Sequence, residues 1–107
     1  MAEVEDVRRE MRRALTMISG KWKLEILWLL YQRTYRFGEL RREIPQVTPH
    51  MLTKQLRELE GDGLVTRKVY AEVPPRVEYT LTDEARTLKP AFESLLAWAT
   101  SWDSVRG

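Results

Sequence analysis

Hydrophobic positions along the chain follow two periods in succession, and the switch between them outlines the architecture. Val4, Val7, Met11, Ala14 and Ile18 recur at steps of three and four, with Arg8, Arg9, Arg12 and Arg13 filling the other side, the pattern of an amphipathic helix. It stops near Ser19-Gly20. A second helix follows from Lys21 through Gln32, where Trp22, Ile26, Leu27, Leu29 and Leu30 make most of the surface apolar, so this helix belongs at the centre of a core. Arg33 to Arg36 form a short connection, with Thr34 and Tyr35 pairing briefly as an extended segment. A third helix runs from Phe37 to about Glu43, turns Phe37, Leu40 and Ile44 inward, and is closed by Pro45.

The stretch TPHMLTKQLRELEGDG, residues 48–63, carries the clearest helix punctuation. Thr48 is a capping residue and Pro49 suits the first helical position. Gly61 and Gly63 are expected to supply the left-handed conformations that end the helix. Leu52, Leu56 and Leu59 share one face. At about 100° per residue, His50, Lys54 and Arg57 fall on the opposite side with Thr53 on its flank. Only Pro45, Gln46 and Val47 separate this helix from the third, which is helix-turn-helix spacing, with the second helix of the pair destined for the major groove.

After Gly63 the period drops to two. Leu64 to Tyr70 and Val77 to Leu81 read as strands, Val77, Tyr79 and Leu81 alternating with Glu78 and Thr80. The connection AEVPPR, Ala71 to Arg76, is too long and proline-rich for a tight hairpin, and is expected to project as a stiff loop with Arg76 near its tip. Thr82 caps a last helix in which Ala85, Leu88, Phe92, Leu95, Ala99 and Trp102 are spaced as a heptad seam. Pro90 should bend that helix or set its first turn apart.

Composition narrows the function classes. With 107 residues the expectation is a single domain, 1–107, with a modest core that a partner subunit would supplement. The absence of cysteine excludes disulfides, thiolate catalysis and zinc-thiolate sites. The N-terminal run MAEVEDVRRE lacks the apolar stretch of a secretory signal and no run is long enough to span a bilayer, so a cytoplasmic location is expected. The net charge is only +2, but residues 33–76 hold nine Lys/Arg against six Asp/Glu, while residues 77–107 hold three against five. Such mild polarity is equally the mark of an ordinary solvated surface.

The order of elements describes a mainly α fold with a small β hairpin (α+β): a winged helix-turn-helix, with the helix-turn-helix at about 37–62 and the wing at about 64–81. The flanking helices are then dimerisation helices, using Val4, Val7 and Met11 at one end and Leu88, Phe92, Leu95, Ala99 and Trp102 at the other. Candidate DNA-binding residues are Thr48, Pro49, His50, Thr53, Lys54 and Arg57 on the fourth helix, Arg76 in the wing, and Arg36; Arg41 and Lys21 are weaker candidates for phosphates. A lone surface histidine is more often merely solvated, and Lys54 and Arg57 could simply solubilise the helix; their convergence on one face favours DNA. Met11, Met17, Trp22, Trp28, Trp98 and Trp102 either line an effector pocket or, as the plainer reading, pack the core and dimer.

The sequence also resembles the HxlR-type transcriptional regulators, dimeric bacterial winged-helix proteins related in fold to the MarR group. The resemblance rests on GKW at Gly20 to Trp22, RFGELRREIP at Arg36 to Pro45, LTKQLRELEGDGLV at Leu52 to Val65 and VPPRVEYTLT at Val73 to Thr82. It implies a homodimer regulating transcription from double-stranded DNA. Members of that family commonly carry a cysteine a little over a dozen residues before the tryptophan of GKW, through which some sense oxidants or electrophiles. Arg9 occupies the aligned position here, which excludes a thiol sensor. Pro49 and His50 stand where glutamine or lysine is more typical, so an operator preference does not carry over.

The expected function is therefore a sequence-specific DNA-binding regulator acting as a homodimer on a palindromic operator, with no cofactor and an effector left open. The alternative is a winged-helix protein-interaction module, which an acidic or apolar fourth-helix face would favour. Catalysis is not expected: one exposed His and no phosphate loop leave no recognisable acid/base constellation, and Asp62 between two glycines lacks the other oxygen ligands of a calcium loop.

Overall fold

In the computed structural model, which describes residues 3–106, the elements follow in the order α1 (Val4–Ile18), α2 (Lys23–Gln32), β1 (Tyr35–Arg36), α3 (Phe37–Glu43), α4 (Pro49–Gly61), β2 (Val65–Tyr70), β3 (Arg76–Leu81), α5 (Asp83–Arg86) and α6 (Lys89–Arg106). Helix α2 is central, as its all-round apolarity demands. Its Ile26, Leu27 and Leu30 meet Leu40 and Ile44, Leu52, Leu56 and Leu59 of α4, and Val65, Tyr79 and Leu81 of the sheet. It starts at Lys23 rather than Lys21, with Trp22 at the N-cap.

The sheet has three antiparallel strands in the order β1-β3-β2, so the hairpin is extended by a strand on its far edge. Tyr35 pairs with Tyr79 and Arg36 with Glu78. The brief extended pairing expected at Thr34 and Tyr35 is present one residue later, at Tyr35–Arg36, and what holds it is long-range: Tyr35 is buried beside Tyr79. The register puts Val65 opposite Leu81, Arg67 opposite Tyr79 and Val69 opposite Val77. These residues share the face on which Tyr79 and Leu81 are buried, while Thr66, Lys68 and Tyr70 alternate to the other face with Thr80, Glu78 and Arg76.

Two helix ends differ from expectation. Gly61 is the last residue of α4 and Asp62 caps it at φ −85°; only Gly63 adopts positive φ, at +80°. The Leu64 N–H reaches the Leu59 carbonyl at 2.9 Å and the Gly63 N–H the Glu60 carbonyl at 3.0 Å, a Schellman ending that needs one left-handed residue. The last helix divides. Pro90 has no N–H for the Arg86 carbonyl and its ring would press on it, so α5 ends at Arg86 and α6 begins at Lys89.

This division changes what the heptad seam does. Ala85 and Phe92 are buried within the chain's own core, Leu88 packs against it, and Phe92 meets the Tyr31 ring edge-on, centroids 5.5 Å apart. The Tyr31 hydroxyl donates to the Ala85 carbonyl at 2.6 Å, and burial pushes the Tyr31 pKa up against an opposing pull from Arg86. Phe92 and Leu88, read from the spacing as interface residues, are thus largely consumed inside the protomer. A seven-residue spacing identifies an apolar stripe but not which chain covers it.

Helix α1 buries none of its residues; Val4, Val7 and Met11 are exposed, as are Leu95 and Trp102 of α6, and Ala99 is half-buried. The radius of gyration is 16.0 Å, against about 13 Å for a compact chain of this length. Among the described residues no helix is long and apolar enough to cross a membrane.

Candidate DNA-binding surface

Helix α4 is set by its cap and its buried stripe. Thr48 Oγ1 accepts from the Met51 N–H at 3.1 Å, Pro49 follows, and Leu52, Leu56 and Leu59 are buried. Gln55 is buried too, its position falling between Leu52 and Leu59 on the same face. Near it the almost fully buried Lys23 places Nζ 3.3 Å from Glu58 Oε1. Gly20 closes this polar seam: a Cβ there would collide with Gln55 Oε1 and come within 2.8 Å of Lys23 Cδ and Cε. The glycine of the GKW string is therefore needed for close approach, because the α1–α2 turn rests directly on the buried side of α4.

With that side fixed, the other faces water. His50, Lys54 and Arg57 are all exposed, and none is in an ion pair among the described residues. Pro49 and Thr48 are exposed at the start of the helix. Thr53 lies on the flank, half-buried, and its hydroxyl donates to the Pro49 carbonyl at 2.9 Å. With that proton engaged, Thr53 Oγ1 faces any ligand as an acceptor only.

Arg36 is exposed where β1 passes into α3, and its backbone N–H donates to Glu39 Oε1 at 2.8 Å. Having no acceptor on its side chain, it completes only half of a capping box. That backbone hydrogen bond, aided by Arg33, holds the Glu39 carboxyl below its ordinary 4.5. Arg33 places its guanidinium 3.8 Å from the Tyr35 ring centroid.

Arg76 is not at the tip of a free loop. The strands pair as far as Tyr70 opposite Arg76, which leaves 71–75 as the connection and the fully exposed Val73 within it. Arg76 lies between two carboxylates, Nη2 3.5 Å from Glu72 Oε1 and Nε 3.5 Å from Glu78 Oε2, with its guanidinium carbon 4.0 Å from the Tyr70 ring centroid. The Nε contact is ionic without the alignment of a hydrogen bond. Two cations of β2 escaped the sequence reading. Lys68 is exposed with Nζ 4.9 Å from the Tyr70 centroid, and Arg67 lines a hollow of about 360 Å3 together with Thr53, Arg57 and Glu60 of α4. The strand alternation that buries Val65 already gives Arg67 the same parity, which is the signal that could have placed it.

The aromatic and methionine residues considered for an effector pocket do not gather in one protomer. Trp28 lines an apolar groove of about 470 Å3 with Leu24, Leu29, Leu95 and Leu96. Trp98 and Trp102 stack on each other along α6 at 6.1 Å, and Met17 and Trp22 pack on the core.

An exposed cationic helix face beside a three-stranded wing is the arrangement of a winged helix-turn-helix, and residues 17–106 match the family model of HxlR-like helix-turn-helix proteins. The chain belongs to that family. An HTH-type transcriptional regulator of Halalkalibacterium halodurans is 53% identical over 85 residues, covering 78% of this chain and 75% of the relative. A MarR-family transcriptional regulator from Enterococcus faecalis V583 superposes with a TM-score of 0.86 at 44% identity, covering 98% of this chain and 96% of that one. The reduced form of HypR, described as a redox regulator, is 45% identical with a TM-score of 0.85, over 90% of this chain and 95% of its own. The HxlR-like chain has a MarR-like winged fold and is a DNA-binding transcriptional regulator by family. The sequence contains no cysteine.

Proposed function

We propose that this HxlR-like regulator binds a palindromic operator as a homodimer in the cytoplasm, with α4 of each protomer in a major groove. The observation that carries the reading is the division of α4 into a buried leucine face and an exposed face bearing His50, Lys54 and Arg57. Thr48 and Pro49 set the start of the helix, His50, Thr53 and Lys54 discriminate bases, and Arg57 and Arg36 hold phosphates. Arg76 serves chiefly to brace the wing.

Dimerisation is supported by surface. The chain exposes 7976 Å2, where a compact monomer of 12.7 kDa exposes about 6,200 Å2. Val4, Val7 and Met11 of α1 and Leu95, Ala99 and Trp102 of α6 supply the apolar area that a two-fold partner would cover. Selection of bound sequences from a random DNA pool tests the whole reading. The expected result is an inverted repeat with half-sites about one helical turn apart. A consensus without two-fold symmetry would remove the dimer, and no enrichment would remove DNA reading altogether.

A further inference from the structure

The cations of the wing divide by face. On one face Arg36, Lys68 and Arg76 share the surface with Glu72 and Glu78, and Arg76 is held between both carboxylates. On the other, Arg67 opens into the hollow it shares with Arg57 of α4, where Glu60 is the one carboxylate lining it. Neither Arg57 nor Arg67 is in an ion pair among the described residues. The Cβ of Arg67 cannot move to the other face without breaking the register, because Val65 on its own strand and its partner Tyr79 are both buried and a slip of one residue would expose them. Arg57 is equally committed, since the buried Leu52, Leu56 and Leu59 fix the rotation of α4.

We infer that Arg57 and Arg67 together seat one phosphate of the DNA backbone in this hollow. The inference rests on the DNA-binding reading above and adds to it a residue and a register. When a recognition helix lies in a major groove and its wing reaches the adjacent minor groove, the strand dividing those grooves passes between helix and wing. The hollow lies on that path. Two guanidinium groups from different elements suit a single phosphate, whose oxygens accept paired N–H bonds in the planar geometry arginine offers. Thr53 on the same wall has spent its hydroxyl proton on Pro49, which leaves the arginines as the donors. A phosphate held there would also fix the depth of α4, so that Lys54 and His50, one and two turns earlier, meet base edges at a set height.

The test is a double-mutant cycle: wild type, Arg57→Gln, Arg67→Gln and the double variant, titrated over a salt series on the selected operator and on scrambled DNA of equal length. If one phosphate is shared, each single change weakens both DNAs by a similar factor, on the order of tenfold. The double change then costs clearly less than the product of the singles, and flattens the slope of log K against log salt by about 2 per dimer. Arg67→Lys, which keeps charge but not the fork, should keep the slope and lose part of the affinity. Arg67→Gln indistinguishable from wild type on an operator that wild type binds would overturn the seat and leave the DNA reading standing. Multiplicative losses with the slope flattened by about 4 would replace it with two separate phosphates. A wild type that binds neither DNA would remove the seat together with the reading beneath it. Thermal melts of the variants, expected to match wild type because both arginines are exposed, separate binding loss from misfolding.

Discussion

Gly20 has the least room of the described glycines, although nothing in its immediate sequence says so. The atoms that crowd it are Gln55 Oε1 from α4 and the Lys23 methylenes one turn ahead. Alanine there must displace a buried amide and a buried ammonium stem, so Gly20→Ala is expected to cost about 1–3 kcal/mol, read from the urea midpoint at unchanged m-value. An unchanged midpoint would mean that the seam relaxes freely. Arg76 offers the complementary case, since its charge is matched by Glu72 and Glu78 and its plane by Tyr70. Arg76→Ala is expected to lower stability by about 1 kcal/mol and to leave the salt dependence of DNA binding as it was. A flatter slope in that variant would return Arg76 to the set of phosphate ligands.

Among the elements, α3 carries a built-in acid sensitivity. Glu39 accepts the Arg36 N–H at the helix start, and this holds its carboxyl below 4.5 in the folded state. Its contribution is therefore complete above 4.5 and is lost as the pH falls through the lowered folded value. Glu39→Gln can still accept that hydrogen bond but does not titrate. Denaturation from about pH 6 to about pH 3 should find the stability gap between wild type and Glu39→Gln narrowing with acid; a constant gap would assign the cap to hydrogen bonding alone. Helix α4 divides differently, by face. Replacing His50 and Lys54 together by Ala should cost roughly 1–3 kcal/mol for each base edge that is no longer read, on the operator and not on scrambled DNA. Equal losses on both DNAs would show that another element does the reading.

At the scale of the whole molecule, α1 and the outer part of α6 stand away from the core that α2, α4 and the sheet build. Their apolar stripes await a second copy in the proposed assembly, and Leu95, half-exposed on α6, lies beyond the portion absorbed by the protomer. Sedimentation equilibrium at micromolar concentration should return twice the 12.7 kDa chain mass for wild type and the single mass for Leu95→Glu. A monomeric wild type would leave the stripes unexplained.

Local chemistry determined most of the helices from sequence alone. The Thr48-Pro49 start and the Leu52, Leu56, Leu59 stripe of α4, the proline stop after α3 and the all-round apolarity of α2 are all written within a few turns of chain, where periodicity and capping act. That locality also made the outward face of His50, Lys54 and Arg57 legible. What sequence could not determine depends on atoms brought from far away. β1 finds its partner strand because Tyr35 meets Tyr79, and Phe92 is core because Tyr31 lies beside it. Arg67 became a candidate only when the sheet packed on α4 and turned one strand parity toward Arg57. A period assigns a residue to a face, but only the packing of distant elements decides what that face meets.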